Sequence, residues 1–225
     1  MIEVKNVSKK FPNGEHQEYV LKDVQFEIKR GELVGIFGKS GSGKSTLLHI
    51  LSGIDTPTSG TVQIDGSNIA SLSNRALTKW RGKHVGIVFQ SFHLIPTLTL
   101  VENVMLPMEF VNNRKRKRQR ALELLDQMGL GMKADKFPAS VSGGERQRTA
   151  FARALANDPP VIAADEPTGN LDSQTSKEIF ELFQELAESG KTVLFVTHDL
   201  DFYEKVSRRL HVEDGSVYET PSQRV

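Results

Sequence analysis

A glycine-rich segment carries the clearest chemical signal in this sequence. Residues 38–46 read GKSGSGKST and match the pattern G-x-x-x-x-G-K-[ST], with an apolar run before them and a helical pattern after them. Glycines allow such a loop to wrap so that backbone N–H groups point at phosphate oxygens, and the following helix adds its positive end. We expect Lys44 to reach the β- and γ-phosphates of a nucleotide and Ser45 to offer its hydroxyl to Mg²⁺. The predicted nucleotide-binding residues are Gly38, Lys39, Ser40, Gly41, Ser42, Gly43, Lys44, Ser45 and Thr46.

Two carboxylates, a histidine and an amide follow other apolar runs. Asp165 and Glu166 end one run, His198 follows another, and Gln90 follows a third. In α/β sheets the ligands bind at the carboxyl ends of the strands. Asp165 suits the Mg²⁺ shell, Glu166 could polarise an attacking water, and His198 could donate to the γ-phosphate. Gln90 could contact Mg²⁺ or that water. An acidic turn and a structural histidine are the alternatives, and the neighbouring phosphate loop favours the functional interpretation.

Short apolar runs predict the strands that position these residues. A continuous apolar run is typical of a strand buried on both faces, and alternation is typical of a half-buried strand. Glycines and prolines separate the runs, and helical patterns start at Ser45 and Ser173. We expect strands over 20–28, 33–37, 60–64, 84–89, 161–164 and 192–196, and a terminal hairpin over 209–219.

The middle of the chain has a helical pattern instead. Thr99 and Ser142 each precede a glutamate by three residues, which is the capping-box pattern of a helix start. Asn113 could cap a further helix that closes at Gly129. Residues 90–157 are therefore predicted to form a mostly helical insertion between strands.

The alternation of apolar strands with helices predicts an α/β fold. We expect one domain, a P-loop NTPase core with a parallel sheet, an antiparallel β subdomain and a helical insertion. Residues 1–89 and 158–225 would form the nucleotide-binding core, and residues 90–157 the helical subdomain.

Composition excludes several classes of function. The chain has 225 residues, a formal net charge of +1 and no cysteine, which excludes a disulfide scaffold, a thiol nucleophile and a thiolate metal site. The charge balance argues against a protein that coats nucleic acid, so no direct nucleic-acid partner is expected. No stretch reads as a membrane span and no apolar leader starts the chain, so a cytoplasmic protein is expected.

A further motif lies between the phosphate loop and the carboxylate pair in the sequence. Residues 142–148 read SGGERQR, and they follow the phosphate loop and precede the carboxylate pair. With these motifs the chain closely resembles ABC-type ATPase subunits over essentially its whole length. The resemblance implies a head-to-tail homodimer that encloses two ATP, in which a signature loop binds the γ-phosphate held by the second subunit. The residues of this loop that would contact nucleotide are Ser142, Gly143, Gly144 and Glu145.

Some positions depart from the family pattern. The family usually has Leu and Gln where this chain has Val141 and Glu145. Glutamate keeps the capping box but adds negative charge near a phosphate, which would weaken dimerisation. The adenine-stacking aromatic residue of the family maps to Phe11, with Tyr19 as the alternative.

The segments 89–104 and 164–173 resemble the lipoprotein-release and macrolide-efflux branch. That resemblance implies a subunit peripheral to the inner face of the cell membrane, which powers a permease by hydrolysing ATP. The permease would contact the region from Gln90 to Val104, with Phe92 and Leu94 at the interface. The alternative is a soluble ABC-type ATPase that regulates or assembles a protein or nucleic-acid complex. The basic run 114–120 suits anionic lipid, an acidic permease surface or a solvated helix face.

Overall fold

The computed structural model describes residues 2–14, 16–111, 116–169 and 171–220. Within these ranges the strands form two sheets, one of four strands and one of six. The strands are β1 (Ile2–Asn13), β2 (His16–Ile28), β3 (Leu33–Phe37), β4 (Ser59–Ile64), β5 (Ser67–Asn68), β6 (Val85–Phe89), β7 (Val161–Asp165), β8 (Thr192–Val196), β9 (Arg208–Glu213) and β10 (Ser216–Thr220).

The six-stranded sheet has the order β10-β9-β3-β8-β7-β6. All neighbours in it are parallel except β9 and β10, which form the expected terminal hairpin. The residues of β3 and β8 are buried throughout, because helices or the second sheet cover both faces. Both strands have the bounds predicted from their apolar runs, and β7 extends one residue further than expected, to Asp165.

Helices cover this sheet. They are α1 (Lys44–Leu51), α2 (Asn74–His84), α3 (Leu100–Phe110), α4 (Lys117–Gln127), α5 (Gly143–Ala154) and α6 (Ser173–Glu188), with short 3₁₀ turns at Ile69–Ser71, Gly131–Lys133, Pro138–Ser140 and Leu200–Lys205. Within the described chain, no helix is long and apolar enough to cross a membrane.

The helix α2 was not predicted. The apolar runs predict no helix between the strands 60–64 and 84–89. In the structure, Ser73 Oγ accepts a hydrogen bond from the Ala76 N–H, and the helix begins after Ser73. Only Leu77 and Trp80 of this helix are buried, so its apolar periodicity is weak.

Both predicted capping boxes are confirmed. Thr99 N–H donates to Glu102 at 2.8 Å and starts α3, and Ser142 N–H donates to Glu145 at 2.9 Å and starts α5. The proposed cap Asn113 lies outside the described residues, and α4 begins at Lys117.

Two apolar clusters lie on the two faces of the six-stranded sheet. One joins α1 and the antiparallel sheet β2-β1-β4-β5 to residues such as Val34 and Val196. The other joins α3, α4, α5 and α6, and its centre is the ring series Phe151, Phe183 and Phe195, with centroids 5.2 and 5.4 Å apart. The signature-type helix α5 therefore packs directly on the sheet that carries the phosphate loop.

Candidate nucleotide-binding and catalytic site

The phosphate loop connects the end of β3 to α1. Gly38, Gly41 and Gly43 have φ values of 147°, 78° and 108°, which lie in the region that favours glycine. A Cβ on Gly38 would collide with the carbonyl of Val212, and one on Gly43 would lie 2.8 Å from the carbonyl of Val20. The helix α1 begins without a side-chain cap, so its first N–H groups suit a bound anion.

The side chain of Lys44 lies within the turn of this loop. Its ammonium donates to the carbonyl oxygens of Gly38 at 3.0 Å and Lys39 at 2.8 Å, and the residue is only 7% exposed. The ammonium group of Lys44, held among the backbone groups of the phosphate loop, is therefore suited to neutralise phosphate charge.

Ser45 and Asp165 are brought together from α1 and β7. Ser45 Oγ donates to Asp165 Oδ1 at 3.0 Å, and His49 Nε2 lies 3.6 Å from Oδ2. Burial raises the pKa of Asp165, an effect that the Ser45 hydrogen bond and His49 oppose. A cation at this carboxylate would offset the cost of its buried charge.

These two residues fit Mg²⁺. Hydroxyl and carboxylate oxygens are the hard ligands that Mg²⁺ prefers, and it is usually bound by one or two such groups together with substrate phosphates. Among the described residues no group of three acidic or histidine side chains could hold a metal alone. The metal would therefore complete its shell with phosphate oxygens and water.

Glu166, His198 and Gln90 surround the same end of the sheet. Glu166 has a left-handed backbone with φ of 44°, and its N–H donates to the carbonyl of Val196 at 3.1 Å. Its Oε1 lies 3.4 Å from His198 Nδ1. A Cβ on Gly169 would lie 2.7 Å from Gln90 Nε2, so the amide packs on the turn that follows Glu166. The predicted catalytic side chains thus meet at one edge of the sheet.

A cavity of about 730 Å³ adjoins the phosphate loop. Residues 38–42, His198 and Tyr19 line it, whereas Phe11 is not among its lining residues. Phe11 is exposed on β1, with Lys9 Nζ 4.8 Å from its ring centroid. The structure therefore brings the alternative aromatic residue, Tyr19, to the cavity, and stacking by Phe11 stays a prediction.

Three aromatic residues of this cavity were missed by sequence reasoning. Tyr203, His211 and Tyr218 form part of its wall, and Tyr203 Oη lies 2.9 Å from His211 Nε2. Burial, followed by the charge of Arg209, lowers the pKa of His211. No motif marks these residues. His211 lies on β9, which pairs with β3, and Tyr218 lies on β10, which pairs with β9. Tyr203 lies in the 3₁₀ turn Leu200–Lys205.

The predicted signature loop lies at the start of α5. Ser142 Oγ accepts from the Glu145 N–H at 3.2 Å, which completes the capping box. Gln147, two residues further on, is buried, and its Nε2 donates to the carbonyl of Pro167 at 2.7 Å. That bond fastens α5 to the turn that carries Glu166. Neither Ser142 nor Glu145 lines the cavity at the phosphate loop.

Comparison with known proteins assigns the chain to a family. A sequence model described as ABC transporter matches residues 21–169, which include the phosphate loop, the signature loop and the carboxylate pair. The chain therefore belongs to the ABC transporter family, and it is an ATP-binding cassette with the fold of an ATPase.

Similarity to individual proteins indicates the branch of the family. The chain is 47% identical over 218 residues to an uncharacterised ABC transporter ATP-binding protein of Thermotoga maritima, covering 96% of this chain and 93% of that protein. It is 43% identical over 222 residues to the macrolide export ATP-binding/permease protein MacB of Salmonella typhimurium, covering 98% of this chain but 34% of MacB. The predicted similarity to the macrolide-efflux branch is thus confirmed.

A solved structure has the same fold. The ATP-binding cassette MJ0796, in a dimeric post-hydrolysis state bound to ADP and Pi, superimposes with a TM-score of 0.92 at 45% identity, and the match covers 100% of both chains. The α/β fold class is confirmed by this match, and the relative's bound products accord with ATP hydrolysis by a cassette of this type.

Proposed function

We propose that this cassette hydrolyses Mg²⁺-bound ATP as half of a homodimer and thereby powers a partner membrane permease. The observation that carries the proposal is the convergence of Ser45, Asp165, Glu166 and His198 beside the phosphate loop.

Hydrolysis follows from the placement of these groups. The carboxylate of Glu166 accepts a proton from a water, which attacks the γ-phosphorus as the bond to the β–γ bridging oxygen breaks. Lys44 and His198 stabilise the charge that develops on the γ-phosphate oxygens, and the products are ADP and phosphate. Mg²⁺ held by Ser45 and Asp165, with Gln90 as a further oxygen ligand, would neutralise charge on the phosphates.

The separation of two helix N-termini that could each bind an anion supports a dimer. The phosphate loop supplies one, and Ser142 with the amides of Gly143 and Gly144 supplies another that does not line the same cavity. A second copy of the chain would bring its signature loop to the γ-phosphate. The dimeric state of the MJ0796 cassette supports this arrangement.

The segment after β6 is the proposed permease surface. Phe92 and Leu94 are partly buried and Ile95 is exposed, which leaves apolar area for a partner. Arg153 on α5 donates to the carbonyls of Phe92 and His93, so the surface is tied to the signature helix. A permease there would place the cassette on the cytoplasmic face of the membrane. MacB, whose name combines ATP-binding and permease functions, supports this partner class.

The variant Glu166→Gln tests the proposal. It removes the proton acceptor but keeps the size of the side chain, so we expect ATP binding, hydrolysis slowed at least about a hundredfold and an ATP-dependent dimer in light scattering. Full turnover would remove Glu166 from its role, and a monomer at saturating ATP would overturn the dimer.

The same variant can identify the partner. We expect tagged Glu166→Gln, captured with ATP from detergent-solubilised native membranes, to retain an integral-membrane permease detected by mass spectrometry. Changes at Phe92 and Leu94 to serine should release the permease but leave the ATP dimer. Recovery of soluble proteins alone would favour a regulator or assembly factor instead.

A further inference from the structure

The side chain of Glu145 has both carboxylate oxygens engaged. Oε2 accepts from the Ser142 N–H at 2.9 Å, and Oε1 accepts a hydrogen bond from Lys133 Nζ. We propose that Lys133 is a positioning residue that neutralises Glu145 and so allows the signature loop to bind the γ-phosphate held by a partner subunit. This inference rests on the proposed ATP-dependent dimer.

Glu145 needs neutralisation for an electrostatic reason. The N–H groups at the start of α5 and the helix dipole favour an anion, and a carboxylate at the same place competes with that anion. A neutral glutamine at this position would complete the same capping box without charge. Glu145 caps equally well, and Lys133 supplies the missing positive charge. In agreement, the hydrogen bond from Lys133 is the main cause of the lowered pKa of Glu145, followed by the bond from Ser142.

The backbone presents Lys133 in a fixed position. Lys133 ends the 3₁₀ turn Gly131–Lys133, its N–H donates to Leu130 at 2.9 Å, and its carbonyl accepts from Lys136 at 2.9 Å. The ammonium therefore approaches Glu145 from a structured turn.

The Lys133–Glu145 ion pair is partly exposed, so its effect on dimer affinity can be measured apart from its effect on folding. The side chain of Lys133 is 48% exposed and that of Glu145 is 15% exposed. An ion pair with one such exposed partner contributes little to folding. Loss of Lys133 should therefore change the affinity of the dimer much more than the stability of the monomer.

A double-mutant cycle in the Glu166→Gln background tests the inference. The dissociation constant of the ATP-bound dimer is measured by sedimentation at low and high salt for Lys133→Met, Lys133→Arg, Glu145→Gln and the double variant Lys133→Met/Glu145→Gln. The control is Arg118→Met, which breaks the exposed pair Arg118–Asp135 in the same region and removes the same charge.

We expect Lys133→Met to raise the dissociation constant on the order of tenfold at low salt, and less at high salt because screening weakens the repulsion. Lys133→Arg and Arg118→Met should stay within about twofold of the parent. Glu145→Gln should lower the dissociation constant, because it leaves the positive charge of Lys133 uncompensated near the phosphate. The double variant should regain parental affinity, since no charge is then left to neutralise. Thermal unfolding of each monomer shows whether the fold is kept.

Specific outcomes would overturn the inference. A Lys133→Met dimer as tight as the Arg118→Met dimer would show that Glu145 needs no neutralisation. A double variant as weak as Lys133→Met would show that Lys133 acts through another group. A parent protein that stays monomeric would overturn the proposed dimer, and this inference with it, whereas a charge-insensitive dimer would overturn this inference alone.

Discussion

The side chain of Asn103 forms hydrogen bonds with the backbone of the proposed permease surface. The residue is on α3 and is 0% exposed. Its Oδ1 accepts from the Ile95 N–H at 2.7 Å, and its Nδ2 lies 3.0–3.1 Å from the carbonyl oxygens of Ile95, Leu98 and Thr99. One buried amide thus satisfies the backbone of the segment that precedes α3.

The cost of Asn103→Ala can be estimated from these partners. Two backbone groups, the N–H of Ile95 and the C=O of Leu98, lose their Asn103 side-chain partner. The carbonyl of Ile95 keeps a bond from the Leu98 N–H, and the carbonyl of Thr99 keeps one from the Asn103 N–H. Each lost bond costs about 0.5–1.5 kcal/mol, and water reaches this partly exposed segment. We therefore expect the free energy of unfolding to fall by about 1–3 kcal/mol.

Urea unfolding followed by tryptophan fluorescence measures this change. Trp80 is the only tryptophan and is buried, so it reports the loss of the fold. With a slope of about 2–3 kcal/mol per M, the midpoint of unfolding should fall by about 0.5–1 M. Asn103→Leu keeps the volume but not the hydrogen bonds, and Asn74→Ala changes an exposed asparagine on α2.

Comparison of these variants shows whether the loss of stability comes from the hydrogen bonds of Asn103 or from its volume. Asn103→Leu should be nearly as destabilised as Asn103→Ala, because the loss lies in the hydrogen bonds. If Asn103→Ala shifted the midpoint no more than Asn74→Ala, the amide would not hold the segment and the reasoning would fail. Rescue by leucine alone would assign the effect to lost volume.

Two further predictions concern the cavity beside the phosphate loop. If Phe11 stacks on adenine, Phe11→Ala should weaken ATP binding by about two- to tenfold, given the stacking energy of an aromatic pair, whereas Tyr19→Ala should not. Fluorescence titration with a nucleotide analogue measures both affinities, and a larger loss for Tyr19→Ala would contradict stacking by Phe11. The lowered pKa of His211 means that the unfolded chain binds its proton more tightly, so wild-type stability should fall as the pH drops below about 6.5. His211→Gln should lose less stability between pH 7.5 and 5.5 in urea titrations, and an unchanged pH dependence would contradict this.

The strands and the phosphate loop could be predicted because their signals are local. Burial on both faces requires continuous apolar runs, so 33–37 and 192–196 are assigned with exact bounds. The capping boxes at Thr99 and Ser142 are also local, since each needs only two residues three positions apart.

Other features depend on tertiary contacts and could not be predicted from the sequence. The helix α2 buries only two side chains, and His211 and Tyr218 reach the loop through the pairing of β9 and β10. Lys133 gains its partner across a 3₁₀ turn and a loop, 12 residues away in sequence. No periodic pattern connects such residues.

The central strand β3 has a consequence for the order in which the molecule can form. Its neighbours are β8 and β9, and the Thr192 and Ser207 side chains that accept from the N–H groups of Gly31 and Leu33 lie 161 and 174 residues further along the chain. During synthesis the phosphate loop therefore leaves the ribosome long before either flanking strand exists. Pairings of such sequence separation close slowly. A nascent chain halted before Thr192 should consequently fail to retain ATP, although its whole phosphate loop has already been made.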